Sequence, residues 1–183
     1  LSHNYNPFFI EGMKSFGEEV FNEFGPEITD IVVPVGNGSL LIGAKKAYEE
    51  LISLNKIKKM PKIHCIQVEG FSPIVKKLNN SKWEFDESSK TLAGGIAVTN
   101  PPRINQVVEA VNNCSGFGVE VKEAEIIEWH RKLAKWGFLS EITCAAAMAG
   151  TEKLIDSGAL NKVSNVVIPI TGSGLKDLDK VNF

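Results

Sequence analysis

Short apolar runs alternate with segments of helical periodicity along almost the whole chain. That alternation restricts the fold more than any other feature of the sequence. Residues 30–35, 62–68, 118–121 and 165–170 read as strands, and each is followed or preceded by a helical stretch. Parallel strands need long crossover connections, which a helix supplies while covering one face of the sheet. The pattern therefore predicts an α/β fold with a mostly parallel sheet, helices on both faces and three layers in all. The first helix starts at Asn6-Pro7, where proline's missing N–H costs nothing. Phe9, Met13, Phe16, Val20, Phe21 and Phe24 then recur at helical spacing until Gly25-Pro26 stops the run. Residues 40–54 form a second helix, and others are predicted over 72–78, 105–112, 123–136 and 140–157. Residues 79–90 are polar and loop-like, and residues 91–99 are interrupted by glycine.

The length of 183 residues, with 43% hydrophobic and 23% charged side chains, suits one globular domain with a real core. The net charge is −2, and the densest basic group, Lys56, Lys58, Lys59 and Lys62, reads as a solvated loop. No nucleic-acid partner is expected from that balance. No apolar run reaches the roughly 18 residues of a membrane span, so no membrane partner is expected either. Cys65, Cys114 and Cys144 are far apart without a C-x-x-C pair, and His3, His64 and His130 are equally scattered, so no metal site is expected. An odd number of thiols without a signal sequence fits a reducing compartment, the cytoplasm. Opening on Leu1 rather than methionine, the chain reads as a piece of something longer.

Two glycine-rich turns follow predicted strands. In Val33-Pro34-Val35-Gly36-Asn37-Gly38-Ser39 the turn leads into a helix. Its amides can form a concave nest, and the helix start adds unpaired N–H groups, so a phosphate monoester fits there without any lysine. A third glycine at dinucleotide-binding spacing is missing, and no Gly-Lys-Ser/Thr follows. The second turn, Thr171-Gly172-Ser173-Gly174, closes the last strand and offers a hydroxyl to a heteroatom of a ring ligand. Between them in sequence, Thr143-Cys144-Ala145-Ala146-Ala147-Met148-Ala149-Gly150 is a run of small residues suited to tight packing or to a flat ligand.

Taken in order, these pieces resemble the C-terminal half of the fold type II (tryptophan synthase β-like) pyridoxal-phosphate enzymes, most of all the threonine synthases. The resemblance rests on Asn6-Pro7-Phe8-Phe9-Ile10-Glu11-Gly12-Met13-Lys14, Val33 to Gly38, Gln67-Val68-Glu69-Gly70-Phe71-Ser72-Pro73 and Thr91-Leu92-Ala93-Gly94-Gly95-Ile96-Ala97-Val98. It continues through Glu141-Ile142-Thr143-Cys144-Ala145-Ala146 and Thr171-Gly172-Ser173-Gly174-Leu175-Lys176-Asp177.

The resemblance implies pyridoxal 5'-phosphate as cofactor, with Gly36, Asn37, Gly38 and Ser39 on its phosphate and Thr171 facing the pyridine nitrogen. Ala93, beside Gly94, would lie near the ring face. Glu11 and Lys14 match a family segment but read as a solvated charged pair. The family's aldimine lysine sits in a Ser-Phe-Lys-Asp-type motif of the N-terminal half, which these residues do not contain. The whole of 1–183 is thus expected to be the C-terminal portion of the large cofactor domain. Alone it would lack any catalytic residue, and its partners would be the missing N-terminal half, an amino-acid substrate and a second copy in a homodimer. Ser39-Leu40-Leu41, Ile142 and Ser173 depart from common threonine synthase patterns. Threonine or serine dehydration, cysteate synthesis and a non-catalytic remnant therefore stay open beside threonine synthesis.

Overall fold

The computed structural model describes residues 5–176; His3 and Asp177 lie outside the described residues. Helices α1 (Pro7–Gly12) and α2 (Lys14–Phe24) lead into β1 (Asp30–Pro34), α3 (Ser39–Ser53) and β2 (Lys62–Val68). Then come α4 (Pro73–Leu78), α5 (Ile104–Asn113), β3 (Gly118–Val121), α6 (Glu123–Lys135), α7 (Ile142–Asp156) and β4 (Val166–Val167). The four strands pair in the order β3-β2-β1-β4, all parallel. The α/β fold predicted from the sequence is the one observed.

Strand pleating sorts the core into two clusters. Ile31, Val33, Ile63 and Cys65 face a layer built from α2, α3 and α5. Val32, Ile66, Val68 and Val121 face α6 and α7. The small residues of α7 serve close packing: a Cβ on Gly150 would stand 2.4 Å from Ile66 Cδ1. Among the described residues no helix is long and apolar enough to cross a membrane.

The strand order places the site. From β1 the chain adds β2 and β3 on one side, then returns to lay β4 on the other side of β1. The direction of winding therefore reverses between β1 and β4, and a crevice opens there at the carboxyl ends of the strands. Buried Gln67 braces this edge. Its side-chain oxygen accepts the Ile74 and Val75 amides at 2.9 and 3.0 Å, and its nitrogen donates to the Val35 carbonyl at 3.1 Å.

Two elements differ from the sequence expectation. The helix predicted across 7–24 is broken at Met13, whose N–H is shared between the Phe9 and Ile10 carbonyls. Met13 rests on α3 where Gly43 has no side chain; a Cβ there would lie 2.6 Å from the Met13 carbonyl oxygen. The bend lets both helical pieces pack on α3. The last strand, predicted over 165–170, pairs only at Asp30↔Val166 and Ile31↔Val167. Pro169 has no N–H to extend the ladder, and the chain leaves the sheet edge toward Thr171.

Candidate functional site

A cavity of about 450 Å³ occupies the crevice between β1 and β4. Gly36, Asn37, Gly38 and Ser39 line one part of it, and Thr171 lines another. The two glycine turns read from the sequence thus open into one hollow of a size usual for small-ligand sites.

At the β1 end, Gly38 caps α3 in the left-handed region, with φ 88°, and no side chain caps the helix. Helical bonding begins only where the Ile42 N–H reaches the Gly38 carbonyl at 3.0 Å. The N–H groups of Gly36, Asn37, Gly38 and Ser39 have no protein acceptor among the described residues. Four consecutive donors at a helix start, next to a cavity, make a seat for an anion. Both glycines are required by space. A Cβ on Gly38 would stand 2.1 Å from Val107 Cγ2, and one on Gly36 would stand 2.8 Å from the Gly95 carbonyl oxygen.

At the β4 end, Thr171 is exposed and its Oγ1 lies 3.5 Å from Cys144 Sγ. The turn is anchored by the Glu141 N–H, which donates to the Gly172 carbonyl at 2.9 Å. The Glu141 carboxylate lies across Gly172, where a Cβ would collide with it, and pairs with Lys176. Gly95, Ile96, Glu141 and Thr143 also line the hollow, as do Phe9 and Met13 from the α1–α2 bend.

Ala93 is not brought to the cavity. It is fully buried in the α6–α7 core cluster, and its neighbours Gly95 and Ile96 line the hollow. The Gly94-Gly95 pair was the available signal, since side-chain-free backbone marks a close approach. Thr143 and Glu141 were visible only as parts of a matched segment. Glu11 and Lys14 stay outside the cavity lining. Lys14 pairs with Glu11 at 3.0 Å and Glu50 at 2.6 Å, and Lys46 also pairs with Glu11, so these charges tie α1 and α2 to α3. Glu50 and Glu11 hold the Lys14 ammonium above its ordinary pKa.

The sequence profile of pyridoxal-phosphate dependent enzymes matches residues 1–172. The chain belongs to that family. It is 30% identical over 183 residues to a threonine synthase of Methanocaldococcus jannaschii, covering 98% of this chain and 45% of that protein. A threonine synthase of Methanosarcina acetivorans is 32% identical over 181 residues, with 97% and 45% covered. The chain thus spans about half the length of the curated relatives it matches. Among solved structures, Escherichia coli threonine synthase superposes with a TM-score of 0.73 at 18% identity, covering 94% of this chain and 40% of that one. A fungal L-serine ammonia-lyase from Rhizomucor miehei gives 0.75 at 20% identity, covering 96% and 56%. These likenesses show the fold.

Pyridoxal phosphate is the cofactor of this family. The residues present fit such a group. Unpaired amides at the start of α3 suit a phosphate ester, and a hydroxyl stands at Thr171 in the same hollow of about 450 Å³.

Proposed function

We propose that this chain is the C-terminal part of a threonine synthase, which converts O-phospho-L-homoserine and water to L-threonine and phosphate. One observation carries the reading: a single cavity joins a bare amide nest to a neutral hydroxyl at the topological switch point. The similarity to curated threonine synthases supports the choice of reaction.

In this reading the Gly36, Asn37, Gly38 and Ser39 amides bind the cofactor's phosphate, and the positive end of α3 adds to their attraction. Thr171 donates to the pyridine nitrogen. A carboxylate there would hold the nitrogen protonated, whereas a hydroxyl leaves it neutral. Bound this way, the cofactor supplies a moderate electron sink for the α and β carbons of an amino acid, which suits loss of a γ-phosphate and addition of water at the β carbon. The lysine that carries the cofactor and moves protons belongs to an N-terminal half, so this chain alone would be inactive. Exposed Tyr5, Phe8, Trp136, Phe138 and Leu139 support the view that further protein, from that half or from a second copy, covers these faces. Three free, buried thiols are consistent with a cytoplasmic setting.

The Ser39-Leu40-Leu41 continuation favours a second reading, dehydration of threonine or serine on the same scaffold. Incubating the complete protein with O-phospho-L-homoserine separates the two. Release of inorganic phosphate with formation of threonine supports the first. Inertness toward that substrate, with 2-oxobutanoate and ammonia formed from threonine, supports the second.

A further inference from the structure

Thr143 is the one hydroxyl of the cavity that is both deeply buried and without a partner among the described residues. The residue is 7% exposed, lines the hollow, and its Oγ1 takes part in no hydrogen bond. The Thr143 oxygen is not sealed off like the orphan hydroxyls of Tyr48 and Ser140, so it opens onto the hollow and is free to meet a group that enters there. Ordinary packing does not account for it. Thr151, on the same helix, returns its hydroxyl to the Ala147 carbonyl at 2.8 Å, four residues back. Thr143 sits in the first turn of α7, where the residue four positions earlier is outside the helix.

Its placement relative to the two turns is specific. Thr143 Oγ1 stands 2.9 Å from where a Cβ on Gly95 would be, and the Gly95 carbonyl in turn abuts Gly36 of the amide nest. On the other side, its sequence neighbour Cys144 touches Thr171 at 3.5 Å. Thr143 therefore lies against the Gly95 segment that abuts the amide nest, one residue away from the side chain that touches Thr171. Gly95 is exposed and needs no unusual φ, so its lack of a side chain serves to let the Thr143 side chain approach this segment.

We infer that Thr143 is a further ligand contact, its hydroxyl hydrogen-bonding a polar group of the cofactor held in the hollow. This rests on the reading of the cavity given above. The first turn of a fifteen-residue helix adds to it, because the Thr143 amide also has no acceptor there.

The test is a titration of the complete protein with pyridoxal phosphate, followed by absorbance and protein fluorescence, beside thermal melts of the cofactor-free form. Thr143→Val keeps the shape and removes the hydroxyl. It is expected to weaken cofactor binding by about 3- to 10-fold. Without cofactor the same variant should melt at the same temperature as the parent or higher, because the hydroxyl it removes bonds no protein group among the described residues. Thr143→Ser should bind the cofactor like the parent. Cofactor binding unchanged in Thr143→Val would overturn the inference, as would a lower melting temperature of the cofactor-free variant, which would mark the hydroxyl as structural. If the parent protein itself binds no pyridoxal phosphate, the reading of the cavity fails and Thr143 falls with it. If the parent binds and Gly38→Ala abolishes binding while Thr143→Val does not, only the inference about Thr143 falls.

Discussion

The carbonyl oxygen of Gly95 lies 2.8 Å from the point where a Cβ on Gly36 would sit. Two segments far apart in sequence meet there backbone to backbone, one ending β1 and one following the polar loop of residues 79–90. Val98 Cγ2 closes the same space at 3.1 Å. Gly36→Ala must push the Gly95 segment away. Expected are a loss of about 1–3 kcal/mol in urea unfolding and weaker cofactor binding. Gly12→Ala is the matched control. Gly12 is exposed at the end of α1 and nothing lies within 4 Å of its Cβ position, so that change should be neutral or stabilise by about 0.4–1 kcal/mol.

Thr171 should contribute through its hydroxyl rather than its bulk. It is exposed, and among the described residues Cys144 Sγ is the one hydrogen-bonding neighbour of its hydroxyl. Thr171→Val in the complete protein is expected to weaken pyridoxal-phosphate binding by about 3- to 10-fold with little change in melting temperature. Thr171→Ser should restore binding. Fluorescence titration of the three proteins checks this, and equal affinities would remove Thr171 from the site.

At the other end of β1, Asp30 and His64 form a buried pair. The Phe117 N–H donates to His64 Nδ1 at 3.2 Å, so Nε2 carries the proton and donates to Asp30 Oδ1 at 2.9 Å. Burial holds the His64 pKa below its ordinary value, and Asp30 offsets this only in part. A depressed histidine pKa means that the unfolded chain takes up a proton the folded chain refuses. Stability is therefore full above the ordinary histidine value of 6.5 and declines as the pH falls below it. The urea midpoint should drop between about pH 7.5 and pH 5.5, and His64→Gln should flatten that slope. An equal slope in the variant would assign the pH dependence elsewhere.

Much of the architecture could be read from local pattern, and the exceptions share a cause. The second strand, 62–68, matches β2 residue for residue because both its faces are buried, Lys62 opens it and Glu69-Gly70 follow it. The break at Met13 was hidden, because it depends on Gly43 of another helix. The shortening of 165–170 followed from an edge position that only the strand order reveals. The same division holds at the site. Gly36 to Ser39 and Thr171 stand at strand ends and announce themselves by residue type. Gly95 and Thr143 reach the hollow through contacts across the fold, and Ala93, two residues before Gly95, lies in the core.

The central claim is that one molecule spans both turns. A crystal structure of the complete protein soaked with pyridoxal phosphate tests it most directly. The account predicts phosphate oxygens at about 2.7–3.2 Å from the amide nitrogens of Gly36, Asn37, Gly38 and Ser39, with the ring nitrogen at hydrogen-bonding distance from Thr171 Oγ1. Density for the cofactor elsewhere, or a phosphate held away from the start of α3, would contradict it.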